Sequence, residues 1–267
     1  MTIRLRELLL GSLDELRYEP IDKRIRATLA GETVVDSTRA LLVWEPKRIV
    51  PSYAVPTDDV AGEIAPASGA EGAPVDAPQL AGRPVYDPRV PFAVHTAPGE
   101  PVAIGGAAGF RLVDPALDGY VELDFGAFDA WYEEEERNVG HPRDPFHRID
   151  IVHGSRHVVV ESGGRRLADS TRPILLFEPP LPVRYYLPAE DVATDLLEPS
   201  DSATTCAYKG HASYWALDGM DVAWTYREPL REAAEVTGRI AFFDERVDIT
   251  VDGERQARPE TPWSTRR

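Results

Sequence analysis

The chain has 267 residues, 43% hydrophobic and 28% charged, which is enough for one large globular core or two smaller ones. Its 45 acidic side chains against 29 basic ones give a formal net charge of −16. No cationic footprint remains for a phosphate backbone, so no nucleic-acid partner is expected, and the acid excess reads as a solubility feature.

Cys206 is the single cysteine, which excludes an internal disulfide framework and every Cys-rich zinc site. The apolar run near the start is broken by Glu7, Asp14 and Glu15 without a small-residue cleavage site. The expectation is therefore no secretory signal, a reducing cytoplasm and, for want of a long apolar window, no membrane. None of the six histidines has an acidic or histidine neighbour at a metal-ligating spacing, so no metal site and no cofactor is expected.

In chain order, Leu5, Leu8, Leu9, Leu13 and Leu16 recur at helical spacing and predict a short amphipathic helix, suited to padding a core or a homodimer contact. Arg24–Leu29 and Thr33–Val35 alternate around Gly31-Glu32 as a hairpin. Asp36-Ser37-Thr38 is expected to break the strand, and Leu41–Trp44 to resume as a buried one. Ala61–Pro74 is dense in Gly, Ala and Pro and predicts an exposed mobile insertion, with about 61–82 as its extent. Pro98–Pro101 and Gly105–Gly109 read as loop, Tyr120–Asp124 as a strand and Phe128–Glu136 as a short acidic helix.

A boundary is expected at Asn138–Pro145. Beyond it, Arg148–Val152 and His157–Glu161 predict strands around a tight turn at Gly154-Ser155, and Asp221–Tyr226, Arg239–Phe243 and Val247–Val251 predict further strands. The tail from Ala257 is polar and expected to be disordered.

One stretch occurs twice. Asp36-Ser37-Thr38-Arg39, an apolar run, Glu45-Pro46, Tyr53, Asp59 and Val60 reappear as Asp169-Ser170-Thr171-Arg172, a run of equal length, Glu178-Pro179, Tyr185-Tyr186, Asp191 and Val192. A shared tetrapeptide alone is weak, but the matching offsets identify two related units, with a one-residue gap before Pro56 and Pro188. The resulting fold class is mainly β with short helices: two tandem small antiparallel domains, 1–140 and 141–254, followed by a polar tail, 255–267.

The second unit carries His141-Pro142-Arg143-Asp144-Pro145, Ala168-Asp169-Ser170, Leu176-Phe177-Glu178, Arg184-Tyr185-Tyr186-Leu187-Pro188, Asp191-Val192 and Leu197-Glu198-Pro199-Ser200. It continues with Cys206-Ala207-Tyr208-Lys209-Gly210, Ala212-Ser213-Tyr214-Trp215 and Phe242-Phe243-Asp244. Here the chain resembles domain-of-unknown-function family 427, sometimes labelled nucleotidyltransferase-like, with the first unit as a diverged copy. The resemblance implies a small β-rich domain of the tent-like type, in which two antiparallel sheets meet over a cleft, and no established activity.

Among the residues themselves, Arg172 can grip a carboxylate or phosphate or close an internal ion pair with Glu178. Tyr186 and Trp215 offer aromatic walls or core packing. Lys209 beside Gly210 can meet an anion or sit in an exposed turn. Cys206 is a nucleophile or, more simply, a buried thiol, since its odd spacing from His211 puts the two on opposite faces of a strand. The leading expectation is a protein that binds a small anionic metabolite in the second domain through Arg172, Glu178, Tyr186, Lys209 and Trp215. The alternatives are an enzyme of nucleotidyltransferase-like or thiol-dependent type, and a non-catalytic structural or interaction module.

Overall fold

A computed structural model of the chain describes residues 2–68 and 77–264. The protein is mainly β, with antiparallel sheets and short helices. It divides into two compact units, Met1–Pro78 with Arg83–Asp144, and Gln79–Gly82 with Pro145–Arg267.

In the amino-terminal unit the described residues form a seven-stranded long sheet, in the order Arg17–Pro20, Leu41–Trp44, Ser52–Pro56, Tyr120–Leu123, Ala107–Leu112, Gly99–Ile104 and Ile64–Pro66. A four-stranded short sheet runs Glu136–Asn138, Ala130–Glu133, Ile25–Leu29 and Glu32–Ser37. Leu42 and Trp44 join Ile25, Ala27 and Val35 of the short sheet in the main core, while Leu41 and Val43 pack on Ala54 and Leu117. A strand buried on both faces has to be apolar throughout, which is why Leu41–Trp44 shows no alternation.

The carboxy-terminal unit repeats this plan. Asp150–His153, Ile174–Phe177 and Arg184–Tyr186 form three strands, and Ile240–Phe242, Met220–Thr225, Gly210–Leu217 and Glu198–Cys206 form four. Reciprocal backbone bonds of 2.8 and 2.9 Å between Leu187 and Ile240 join the two sets into the same long order. The short sheet is Glu254–Arg255, Asp248–Val251, Val158–Ser162 and Arg165–Ser170. A constant offset of 133 residues carries Arg17 to Asp150, Ile25 to Val158, Glu32 to Arg165 and Leu41 to Ile174. Leu42 pairs with Tyr53 as Leu175 pairs with Tyr185, so the gap between the copies lies in the connection just before these tyrosines.

The repeated motif is a clamp. Ser37 donates to Asp59 (2.6 Å) and accepts the Arg39 N–H (3.1 Å), and the Arg39 guanidinium returns to Asp59 (2.5 Å). Ser170, Arg172 and Asp191 make the same three contacts at 2.6, 3.1 and 2.7 Å. Each clamp ties the end of a short-sheet strand to the 3₁₀ turn that leaves the long sheet, Thr57–Asp59 or Ala189–Asp191.

Several local expectations give way to tertiary pairing. The acidic helix expected over Phe128–Glu136 is a hairpin: Trp131 and Glu133 alternate inward, their strand pairs with Ile25–Thr28, and Glu134 turns the chain at a φ of 52°. Pro98–Pro101 and Gly105–Gly109, read as loop, fall largely in the paired strands Gly99–Ile104 and Ala107–Leu112, the turn itself being confined to Gly105-Gly106, where φ is positive. The strand expected to stop at Asp36 continues through Ser37, whose inward hydroxyl belongs to the clamp. Asp150–His153 and Val158–Ser162 are not partners across a tight turn, since each pairs in a different sheet. The opening helix spans Leu5–Gly11 and buries no side chain; the following 3₁₀ turn buries Leu13. Within the expected insertion Ile64–Pro66 is a strand, and 69–76 lie outside the described residues. The polar tail is held as far as 264, with Thr261 buried and donating to Glu245 at 2.5 Å.

Candidate functional site

The space between long and short sheets is treated differently in the two units. In the amino-terminal unit it is plugged by Trp44, Tyr53 and Trp131, each no more than 5% exposed. Its polar end is closed internally: Tyr53 donates to Glu133 at 2.7 Å, Asn138 donates to Tyr53 at 3.0 Å, and Lys23 reaches the other Glu133 oxygen at 2.6 Å. Burial and the Glu133 charge push the Tyr53 hydroxyl well above its ordinary value, so it stays protonated as a donor.

The carboxy-terminal unit replaces these parts one by one. Strand register makes Phe177 the counterpart of Trp44 and Tyr185 that of Tyr53. Glu133 faces Ile25 and Trp131 faces Ala27, whereas Val251 faces Val158 and Ile249 faces Val160. The tryptophan has become isoleucine and the glutamate valine. Lys23 is matched by Arg156 at the same offset, but the acid that neutralised it is gone. Arg156 is exposed and makes no ion pair or hydrogen bond among the described residues, and burial raises the half-buried Tyr185 hydroxyl with the Arg156 charge pulling the other way.

An open groove of about 490 Å³ lies between the segment Asp150–Arg156 and the side chains of Leu175 and Phe177. Gly154 lies against Leu175 in its wall, where a Cβ would stand 2.5 Å from Leu175 Cδ1 and push the end of that side chain aside. The groove sets the apolar surface of Val152, Leu175 and Phe177 beside the Arg156 guanidinium, with Asp150, His153 and Ser155 completing its wall, and that guanidinium suits an anionic group on a ligand with an apolar body.

Of the five residues singled out in the sequence, three meet. Lys209 Nζ lies 2.5 Å from Glu178 Oε2, and His147 Nε2 lies 3.5 Å from Glu178 Oε1. Tyr186 is fully buried nearby and accepts from Trp224 Nε1 at 3.0 Å. Ile174 and Leu176 turn inward on this strand and Leu175 and Phe177 outward, so alternation puts Glu178 behind the groove wall. Burial alone would raise the Glu178 carboxyl, but Lys209 and His147 overcome it and hold it at about 2. Burial alone would lower the Lys209 ammonium, and Glu178 instead raises it well above its ordinary value. A lysine so firmly charged is no general base, because a base has to shed its proton near neutral pH. The cluster is a charge anchor for the turn Ala207–Lys209, whose end is also fixed by the Leu230 N–H on the Lys209 carbonyl.

The other two lie elsewhere. Arg172 is at the surface with Asp191 and Glu190, in the clamp rather than with Glu178. Trp215 is half-buried against the core between the sheets. Cys206 and His211 lie on two paired strands rather than one; Thr205, beside Cys206, faces His211 and binds its ring at 2.8 Å, so the thiol and the imidazole leave opposite faces of the sheet. Arg156 had no local signal, and Tyr185 and Phe177, although inside the motifs of the second unit, were passed over for Tyr186 and Glu178 on the opposite strand faces. Extending the repeat beyond its motif to Glu133 and Val251 would have found them.

In the amino-terminal unit Glu45, His95 and Glu122 place potential metal-ligating atoms within 4.8 Å of one another, and among the described residues no such group falls in the carboxy-terminal unit. No curated protein matches the chain. Residues 150–253, a segment that holds the groove and the Glu178–Lys209 pair, match the family model described as "Domain of unknown function (DUF427)".

Proposed function

We propose that the DUF427 segment binds a small anionic ligand in the groove beside Arg156, the ligand's carboxylate or phosphate taking the place that the Glu133 carboxylate occupies in the sister unit. The observation that carries this reading is the one-sided substitution: the cation and the tyrosine are kept as Arg156 and Tyr185, while their acid becomes Val251. A guanidinium offers a planar pair of donors to such a group, and Leu175, Phe177 and Val152 offer apolar surface to the rest of the ligand. The Glu178–Lys209 pair with Tyr186 supports the wall from behind, and Arg172 and Trp215 hold the frame. Nucleotidyl transfer is the weaker reading, because it calls for acidic groups that hold Mg²⁺ near the phosphates, and the acids around this groove do not cluster in that way.

Titration of the protein with benzoate and with phenyl phosphate, followed by amide chemical shifts, tests the reading. Saturable shifts confined to Asp150–Arg156, Leu175–Phe177 and Tyr185, weakened at least about tenfold in Arg156→Ala, are expected for loss of a charge-assisted contact. Val251→Glu restores the internal acid and should abolish binding while leaving the fold intact. Binding unchanged in both variants would remove the groove from consideration.

A further inference from the structure

The two units answer differently to the same buried glutamate. The turns Gly105-Gly106 and Asp218-Gly219 align Ile104 with Leu217, and Pro101 opposite Phe110 with Tyr214 opposite Trp224. Counting back along that strand places His95 and Thr96 where the carboxy-terminal unit has Tyr208 and Lys209. Glu45 corresponds to Glu178, and Glu122, opposite Phe110, corresponds to Ala241, opposite Trp224. One unit therefore neutralises its glutamate with an ammonium. The other offers a histidine there and adds a second acid.

We propose that Glu45, His95 and Glu122 form a site for one divalent transition-metal ion that accepts mixed nitrogen and oxygen ligands, Zn²⁺ or Mn²⁺ in character. Glu45 is fully buried, and its Oε2 is committed to the N–H groups of Thr96 (2.6 Å) and Ala97 (2.9 Å). Oε1 is thereby aimed at His95 Nδ1, 2.8 Å away. The His95 ring is fixed face to face on Phe110 at 3.5 Å and edge-on to Phe92 at 5.0 Å, so its Nδ1 cannot turn away. Glu122 is 1% exposed, and neither of its oxygens makes a well-formed hydrogen bond, the Ser52 hydroxyl standing nearby as a weak donor.

A buried carboxylate so poorly served by donors is costly, and a cation or a proton has to answer it. Burial and the Glu45 charge raise the Glu122 carboxyl to about 8, with Ser52 and Arg48 pulling the other way. Arg48 supplies one positive charge, its Nε 3.8 Å from Glu45 Oε1, but its outer nitrogens are spent on the carbonyls of Val90, Pro91, Phe92 and Val94. The second acid is left over. Ligand atoms on a Zn²⁺-sized ion stand roughly 3–4 Å apart, so three atoms already within 4.8 Å need little rearrangement. One imidazole with two carboxylates matches the borderline divalent ions better than Mg²⁺, which prefers oxygen and water. His95 is the partly exposed member of the set and marks the side of entry.

The test is calorimetric titration of chelator-treated full-length protein with ZnCl₂, MnCl₂ and, as a control, MgCl₂, with melting curves in parallel. The expected result is one equivalent of Zn²⁺ or Mn²⁺ and a raised melting temperature. Glu122→Gln and His95→Asn should each weaken binding at least about tenfold. Metal-free Glu122→Gln should melt no lower than wild type, since the amide removes a buried acid without changing its shape, and that separates lost binding from a damaged fold. Absence of a stoichiometric site in wild type, or equal affinity in both variants, would overturn the assignment.

Discussion

Lys209→Met removes one partner of the buried pair and keeps the length of the side chain. The carboxylate of Glu178, whose side chain is 12% exposed, then retains only His147 at 3.5 Å. Breaking a buried ion pair from one side costs about 3–5 kcal/mol, because the remaining charge has lost its water as well as its partner. Urea unfolding at pH 7 should show a loss of that size with an unchanged m-value. The pH dependence should also invert. In wild type the folded Glu178 titrates at about 2, below the unfolded carboxyl near roughly 4.3, so its contribution is complete above that unfolded value and disappears as pH falls toward 2. Without Lys209, burial dominates and lifts the folded carboxyl above the unfolded one, so the variant gains stability as pH falls from 7 toward 5. Lys209→Met combined with Glu178→Gln should recover most of the loss. A single-variant cost below about 1 kcal/mol, or a pH profile parallel to that of wild type, would refute the burial argument.

Two further outcomes follow from the hydrogen-bond networks. In both units the clamp serine is buried and its arginine exposed, so Ser37→Ala and Ser170→Ala should each cost about 1–2 kcal/mol while Arg39→Ala and Arg172→Ala cost well under 1, by thermal or urea unfolding. Thr261→Val keeps the shape but removes the donor to Glu245, which also holds Arg184 at 2.6 Å; a loss of about 1.5–3 kcal/mol would show the tail to be part of the carboxy-terminal core, and no change would detach it.

The two units share a frame and differ in what fills it. Position by position, Trp44 and Phe177, Trp131 and Ile249, Glu133 and Val251, and Thr96 and Lys209 occupy matching places. One unit closes its inter-sheet space with aromatic bulk and an internal acid and gathers its unmatched charge around Glu45. The other fills it with smaller apolar side chains, leaves a groove beside Arg156 and settles its glutamate with a lysine. Different chemistry from one plan of strands is the expected use of a β scaffold, where alternation lets the two faces of a strand change independently.

The sequence by itself determined the class, the duplication and the framework. Asp-Ser-Thr-Arg and Glu-Pro recur because the clamp and the strand end need those groups at those separations, and the apolar run between them is legible because both faces of Leu41–Trp44 are buried. Those are local constraints, and a local pattern records them. The loops expected at Pro98–Pro101 and Gly105–Gly109 failed because a hairpin closes around Gly105-Gly106, and the helix expected over Phe128–Glu136 failed because pairing with the distant Ile25–Thr28 overrode local composition. The same distance hid the chemistry. Glu45, His95 and Glu122 come from three separate strands or connections, and Arg156 is notable only because Val251, far along the chain, is not an acid. Charge balance is a property of neighbours in space, and only the tertiary structure decides who those neighbours are.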